Sequence, residues 1–437
     1  MQLKLGQVKL PVVEEMNLPR MVPVKQTFAS RGLPSSALPA LIRDQFHREE
    51  IRQKVKAGMR IAIGVGSRGI DSLLDIVRCT VQELKQLGAL PFIVPAMGSH
   101  GGGTAAGQQH VLAEYGITEE NVGVPIRSSM DTCHLGTVLE DVEVYFDKVV
   151  IDEADGYMVI SRIKPHTDFK APIESGILKM LGIGLGKHRG ASYLHRGGMS
   201  GFDLLLPAVG GLIMERTPFL FGLGLVEDAY HQAAIIELIT KEQLPEREQE
   251  LLEEAKRLMP RFWLQEIDVL VVDEIGKNIS GSGLDPNIVG RTGNTKASDQ
   301  FKDAPPINKV VILGLTEETN GNAVGIGLAD FTTRRLVQAI DFEKVYINAI
   351  TAVETSPGKL PLILAHDKEA LSIAVYTGGR RDFSQVKLVR IRNTLSMNEI
   401  WVSENMIPEV ERHAMMEVIG SPREWRFDAD GYLLSED

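Results

Sequence analysis

Short apolar runs alternate with longer stretches of helical periodicity along the whole chain, the pattern of repeated strand–helix units. The spacing predicts strands over Arg60 to Gly64, Pro91 to Val94, Lys148 to Ile151, Tyr157 to Ser161 and Phe219 to Leu225. Helices are predicted over Leu38 to Lys56, Ile70 to Leu87, Thr104 to Tyr115 and Pro245 to Met259. A charged stretch, Lys241 to Arg257, runs out at Pro260, and a new buried strand, Asp268-Val-Leu-Val-Val-Asp273, starts soon after. The boundary therefore falls near residue 262. Beyond it the pattern resumes with Lys309 to Gly314, a helix near Arg334 to Ile340, and Val345 to Ala349. The expected fold class is α/β: two α/β domains, 1–262 and 263–437, with mainly parallel sheets flanked by helices and the active site in the cleft between domains.

Composition narrows the function classes. The 437 residues, 43% hydrophobic and 24% charged, suffice for two packed cores. The longest apolar runs, Phe219 to Val226 and Val310 to Leu315, fall far short of the roughly 20 residues of a membrane-spanning helix. No signal-peptide pattern opens the chain, so a cytoplasmic location and no membrane partner are expected. A formal charge of −11 without a basic stripe argues against nucleic acid as a partner. Cys79 and Cys133 are the only cysteines, too few for a disulfide framework or a thiolate zinc site within one chain. A homo-oligomer is compatible with all of this.

Gly64-Val-Gly66-Ser-Arg-Gly69 matches G-x-G-x-x-G between a predicted strand and a predicted helix, the context of a dinucleotide-binding turn. That makes an NAD-dependent oxidoreductase one reading. Against it, the second strand runs into Pro95-Ala-Met-Gly-Ser-His100 where an acidic residue should hold the ribose. Ser67 and Arg68 in the turn could still present N–H groups and a guanidinium to an anion.

Most of the chemistry-bearing side chains fall before residue 262, eight of ten histidines among them. Gly98-Ser-His100-Gly-Gly-Gly103 puts an imidazole in a glycine loop after a strand, and Lys164-Pro-His166 follows the next strand in the same way. Open α/β sheets place ligands beyond the carboxyl ends of their strands. Downstream, Ser175-Gly176-Ile-Leu-Lys179 sets a lysine among apolar residues and glycines, a neighbourhood that favours a nucleophilic amine. Tyr193-Leu-His195 follows.

This succession, Ser67-Arg68, Gly-Ser-His100, Pro-His166, Ser-Gly-x-x-Lys179 and His195 sixteen positions later, resembles the nickel-dependent lactate racemase superfamily. The resemblance implies an isomerase, a racemase or epimerase of a 2-hydroxy acid. It implies a nickel-pincer nucleotide (pyridinium-3,5-bisthiocarboxylic acid mononucleotide with nickel) tethered to Lys179, with Ser175, Gly176, Ser67 and Arg68 around the cofactor and His195 on the metal. It also implies that His100 and His166 are the catalytic acid and base, that 1–262 is the catalytic domain, and that 263–437 closes over the substrate. Cofactor-synthesis proteins and a small 2-hydroxy acid would then be the partners. Hydride transfer avoids a carbanion beside a carboxylate, and two faces of one carbon call for two imidazoles.

The match has departures. Where the family has Asp-x-Thr-Arg, this chain has Val65, Gly66, Ser67 and Arg68. The stretch Gly283-Leu-Asp285-Pro-Asn287 resembles a family segment that continues into a glutamine and a lysine, but Gly290 and Gly293 stand at those places. Arg291, Lys277, Lys164 and Arg68 are the cations left to hold a substrate carboxylate. The segment before Lys179, containing Glu174, has three residues more than the family's. These changes point to a substrate other than lactate. His188, nine residues after Lys179, has the poorer spacing for the metal. A protein that binds a hydroxy acid or nucleotide without turning it over is the alternative from another class; a zinc hydrolase lacks the His-x-His or His-Glu-x-x-His spacing it needs.

Overall fold

The computed structural model describes residues 10–14, 16–67, 69–198 and 201–434. The chain divides into two compact units, one of Ala29–Met259 and one of Met1–Phe28 with Pro260–Asp437. The first residues thus belong with the second half of the chain rather than with the first domain of the sequence reading. Strand β1 (Met21–Gln26) is the reason: it pairs antiparallel with residues 399–403 and 416–418, and Val22 and Val24 are fully buried there. No local pattern announces so distant a pairing.

In the unit Ala29–Met259 the strands are β2 (Arg60–Val65), β3 (Leu90–Pro95), β4 (Thr132–Val138), β5 (Val142–Asp147), β6 (Gly156–Arg162), β7 (Phe219–Glu227) and β8 (Ala233–Thr240). A five-stranded sheet has the order β3-β2-β6-β7-β8, parallel except for β8. Both faces are covered, as parallel sheets require. Ile61 and Ile63 pack with Ile42, Phe46, Ile76 and Val77 of helices Leu38–Phe46 and Leu73–Gln86. Ala62 and Val159 pack with Leu206 and Val209 of helix Phe202–Arg216. The chain runs outward from β2 to β3 and then returns to β6 on the other side of β2. That reversal is the switch point at which such sheets bind ligands, and the segments after β2 and β6 flank it.

Two predicted elements change. Lys148 to Ile151 is helix Lys148–Glu153, not a strand, because the Asp147 carboxylate caps it by accepting from the amides of Val149 and Val150. The long helix from Leu38 ends at Phe46 and restarts as Glu49–Arg52. Arg48 between them is extended and donates to the Leu238 carbonyl at 2.8 Å, fastening the break to β8.

The other unit holds β9 (Ile267–Val272), β10 (Ile307–Ile312), β11 (Phe331–Thr333), β12 (Leu362–Leu364), β13 (Leu388–Ile391), β14 (Glu399–Ser403) and β15 (Met416–Val418). Together with β1 they form one eight-stranded sheet, β12-β11-β10-β9-β13-β14-β1-β15, parallel from β12 to β13 and antiparallel beyond. Val345 to Ala349 lies inside helix Phe342–Thr351. Among the described residues no helix is long and apolar enough to cross a membrane.

The unit Ala29–Met259 also contains a buried ion pair. Lys187, with no exposed surface, pairs with Asp147 at 2.8 Å and donates to the Pro95 carbonyl at 2.6 Å. These two contacts of one side chain join the end of β3, the end of β5 and helix Lys187–His195. Removing one partner of such a pair strands a charge in the interior. Asp147→Ala should therefore lower the unfolding free energy in urea by about 3–5 kcal/mol; a loss below about 1 kcal/mol would put the pair in the class of surface ion pairs.

Candidate active site at the end of the parallel sheet

The segment leaving β6 is closed into a loop and held by two buried carboxylates. The Lys164 amide donates to the Ser175 carbonyl at 3.2 Å. Glu174, completely buried, accepts from the amides of His166 at 2.7 Å and Ala171 at 3.4 Å and pairs with Lys256 at 3.1 Å. Lys256 comes from helix Glu246–Leu258, which also supplies Glu248. The Leu178 amide donates to Glu248 at 3.2 Å, at the start of the short helix Ile177–Lys179. A Cβ on Gly176 would lie 2.0 Å from the Glu248 carboxyl, so space requires glycine there.

Burial pushes the Glu248 carboxyl up to about 7, against the pull of the Leu178 and Ile177 amides. Its Oε1 has no hydrogen-bond partner among the described residues. From Lys179 onward the helix widens into a π turn, Met180–Gly184, an irregularity often found at functional sites.

Rings and charge bring three of the four expected side chains together. The His166 ring stacks on Phe169 at 4.4 Å between centroids, Phe169 meets Phe202 at 5.4 Å, and Phe202 meets the His195 ring at 5.4 Å. Burial holds the His195 pKa below its ordinary value, and the charge of Lys179 acts in the same direction, while the Ala191 carbonyl and Asp168 oppose it. Lys179 is thus within electrostatic reach of His195, and its ammonium donates to Ser175 Oγ at 3.4 Å. The His195 Nδ1 lies 2.6 Å from the Ala191 carbonyl, and the Asp168 amide donates to His166 Nδ1 at 3.1 Å.

The fourth, His100, shares a hydrogen bond with Ser67 Oγ, linking the ends of β3 and β2. Both loops rest on the π turn after Lys179. The Gly98 amide donates to the Gly184 carbonyl at 3.0 Å, and a Cβ on Gly66 would come within 3.2 Å of the Met180 methyl. The glycine fingerprint therefore serves close packing against the Lys179 segment. Helix Leu73–Gln86 begins only beyond Gly69, with Ser72 in the left-handed region, so its N-terminus is not the end of the glycine turn as a dinucleotide site requires.

The expected carboxylate-binding cations are differently placed. Arg68 lies outside the described residues. Lys164 belongs to the loop after β6. Arg291, in the other unit, is committed to structure: its guanidinium meets Asp330 at 2.7 Å and the carbonyls of Leu328, Ile307 and Asn308. Lys277, in the same unit as Arg291, donates to the Gly281 carbonyl at 2.6 Å. Asp285 caps helix Pro286–Val289, and Gly290 ends it in the left-handed conformation, so that stretch is a capped turn of helix. Among the remaining histidines, His366 caps helix Asp367–Tyr376 and His110 pairs with Glu114 at 3.5 Å. Among the described residues no group of three or more histidine, cysteine or acidic side chains could hold a metal ion.

The sequence gives no direct sign of Glu248, Lys256, Asp168 or Phe169 at the site, and Phe202 reads from it simply as core, where it is indeed buried. For Glu248 there was an indirect signal, since it shares the stripe of Leu251, Leu252, Ala255 and Leu258 on an otherwise charged helix. The others act through contacts across the loop that no spacing encodes.

No family model matches the chain, and no curated relative does. Its fold is that of a solved protein from Thermotoga maritima, 12% identical, with a TM-score of 0.50 over 85% of this chain and 99% of that one. It is also similar, at a TM-score of 0.48 and 15% identity over 84% of this chain and 82% of the other, to the lactate racemase apoprotein from Thermoanaerobacterium thermosaccharolyticum.

Because the Glu248 carboxyl is raised from 4.5 to about 7 on folding, the folded chain binds the proton more tightly than the unfolded one. Its contribution to stability is present below the lower value and is lost as pH rises toward the upper one. Glu248→Gln should therefore gain stability relative to wild type across that window, at up to about 1.4 kcal/mol per pH unit. Urea melts at stepped pH check this; curves that stay parallel contradict it.

Proposed function

We propose that the chain is an isomerase that racemises or epimerises a 2-hydroxy acid other than lactate, using a nickel-pincer nucleotide tethered to Lys179. The observation that carries this reading is the gathering of Lys179, His195 and His166 around one ring-lined corner, with His100 on a loop packed against the same π turn. The residues suit the group. A carbonyl accepts only, so His195 Nδ1 carries the proton, and the lone pair is on Nε2, as a metal-ligating imidazole held by a backbone carbonyl requires. Lys179, whose charge acts on that ring, offers the amine for the tether, while Ser175 holds its Nζ. When bound, the group supplies a hydride acceptor and the remaining metal donors.

The protein's own part is to bind, orient and move one proton. His100 and His166 meet the hydroxyl oxygen and handle its proton as the Cα hydrogen leaves with its electron pair. Glu174 fixes the His166 backbone, and Glu248 fixes the turn that carries Lys179. The loss of the family's aspartate at Val65 and of its glutamine and lysine at Gly290 and Gly293 supports a substrate of different shape.

Protein co-expressed with the cofactor-synthesis proteins should carry nickel and a mass increment on Lys179. It should invert the Cα configuration of a 2-hydroxy acid in deuterated water without taking deuterium at Cα. His100→Gln should reduce the rate by about 10²–10⁴-fold. An unmodified Lys179 in such protein contradicts the tether, and solvent deuterium at Cα contradicts hydride transfer.

A further inference from the structure

Helix Ala105–Glu114 follows the His100 loop and buries two residues, Gln108 and Leu112, about one turn apart. A glutamine is unexpected on such a stripe, since long amides belong at the surface and a leucine or methionine would fill the position without a polar head. Gln108 is nevertheless fully buried. Its Nε2 donates to the Gly98 carbonyl at 2.9 Å and to the His100 carbonyl at 3.3 Å. Both partners only accept, so the amide nitrogen must face them. Its Oε1 is then left inside the protein with no hydrogen-bond partner among the described residues. An interior polar atom left unpaired is destabilising. Stability alone therefore does not account for the amide, whereas its two donations do.

We propose, on the reading that His100 handles the hydroxyl proton of the substrate, that Gln108 is a positioning residue: its side-chain amide fixes the backbone on either side of Ser99 and with it the place of the His100 ring. The loop has little stiffness of its own, with Gly98, Gly101, Gly102 and Gly103 all in the left-handed region. Its shape comes from what grips it. The His100 amide donates to the Met97 carbonyl at 3.1 Å, and the His100 carbonyl accepts from the Gly103 amide at 3.2 Å as well as from Gln108. Thr104 accepts from the Gly107 amide at 3.1 Å and donates to the Gly101 carbonyl at 3.3 Å. A Cβ on Gly107 would lie 1.9 Å from the Gly101 carbonyl oxygen, so the loop rests directly on the first turn of the helix. These bonds set the local turns, and two others set where the turns stand. The Gly98 amide donates to Gly184 of the π turn at 3.0 Å, while the Gly98 carbonyl accepts from Gln108. One glycine thus bridges the Lys179 segment and helix Ala105–Glu114, and Gln108 carries the same grip on to His100. A displacement of about 1 Å at an acid–base group costs on the order of 10²-fold in rate.

Gln108→Met keeps the length of the side chain and removes both donors. The test reads His100 in the full chain labelled with ¹⁵N-histidine, without cofactor, by long-range proton–nitrogen correlation, with His100→Gln to assign the ring. Gln108→Met should displace or double the His100 ring signals. Leu112→Ala, which loosens the same helix at its other buried position, should leave them in place. A folded Gln108→Met with His100 at its wild-type position overturns the proposal, and so does a Leu112→Ala that moves His100 as far as Gln108→Met does. Should Gln108→Met not fold, the wild type labelled with ¹⁵N-glutamine decides. A Gln108 side-chain amide protected from exchange with solvent is expected, and one that exchanges as fast as the surface glutamines overturns the proposal. In protein carrying the cofactor, Gln108→Met should lower kcat by about 10²-fold with KM nearly unchanged, because a fully buried side chain meets the loop rather than the substrate. A wild-type kcat contradicts that. An unmodified Lys179 defeats the functional reading by itself, and the ring signals of the unloaded chain still decide the role of Gln108.

Discussion

Everything at the candidate site depends on how the chain after β6 satisfies its backbone once it leaves the sheet. Buried amides need acceptors, and here two fully buried glutamates supply them: Glu174 from within the loop and Glu248 from helix Glu246–Leu258. The same helix returns a cation, Lys256, to Glu174. One helix therefore holds both ends of the segment that carries His166 and Lys179. The loop can be irregular without being loose, which is what a site of fixed geometry needs.

Around that anchor the remaining parts are held by unlike forces. His195 is placed by ring contacts and by a carbonyl one helical turn earlier, His100 by a hydroxyl at the end of the neighbouring strand, and the β2 and β3 loops by close packing of glycine against the π turn. Lys187 and Asp147 tie the ends of β3 and β5 to helix Lys187–His195, at the cost of burying two charges. The sheet supplies the frame through its reversal of strand order beside β2.

The sequence made the strands and the histidine-bearing loops legible because both follow local rules: an apolar run, then glycine or proline, then a side chain with chemistry. Four of the expected site residues, His166, Lys179, His195 and Ser175, meet in one corner on this basis, with His100 and Ser67 on adjoining loops. What local rules miss is what depends on distant partners. Strand β1 finds its neighbours far along the chain, Asp147 turns an apolar run into a helix by capping it, and Arg291 is spent on Asp330 and three carbonyls rather than offered to a ligand. Glu248 is the instructive case between these, a charge on the apolar stripe of its helix whose purpose appears only when the Leu178 amide is seen to face it.

The central claim is that the corner built by Lys179 and His195 is a nickel site of a tethered nucleotide. Anomalous diffraction at the nickel edge, on crystals of protein made together with the cofactor-synthesis proteins, addresses it most directly. The account predicts a single strong peak bonded to His195 Nε2, beside density continuous with the Lys179 side chain. No peak there, or a peak on His188 or elsewhere in the chain, would contradict it.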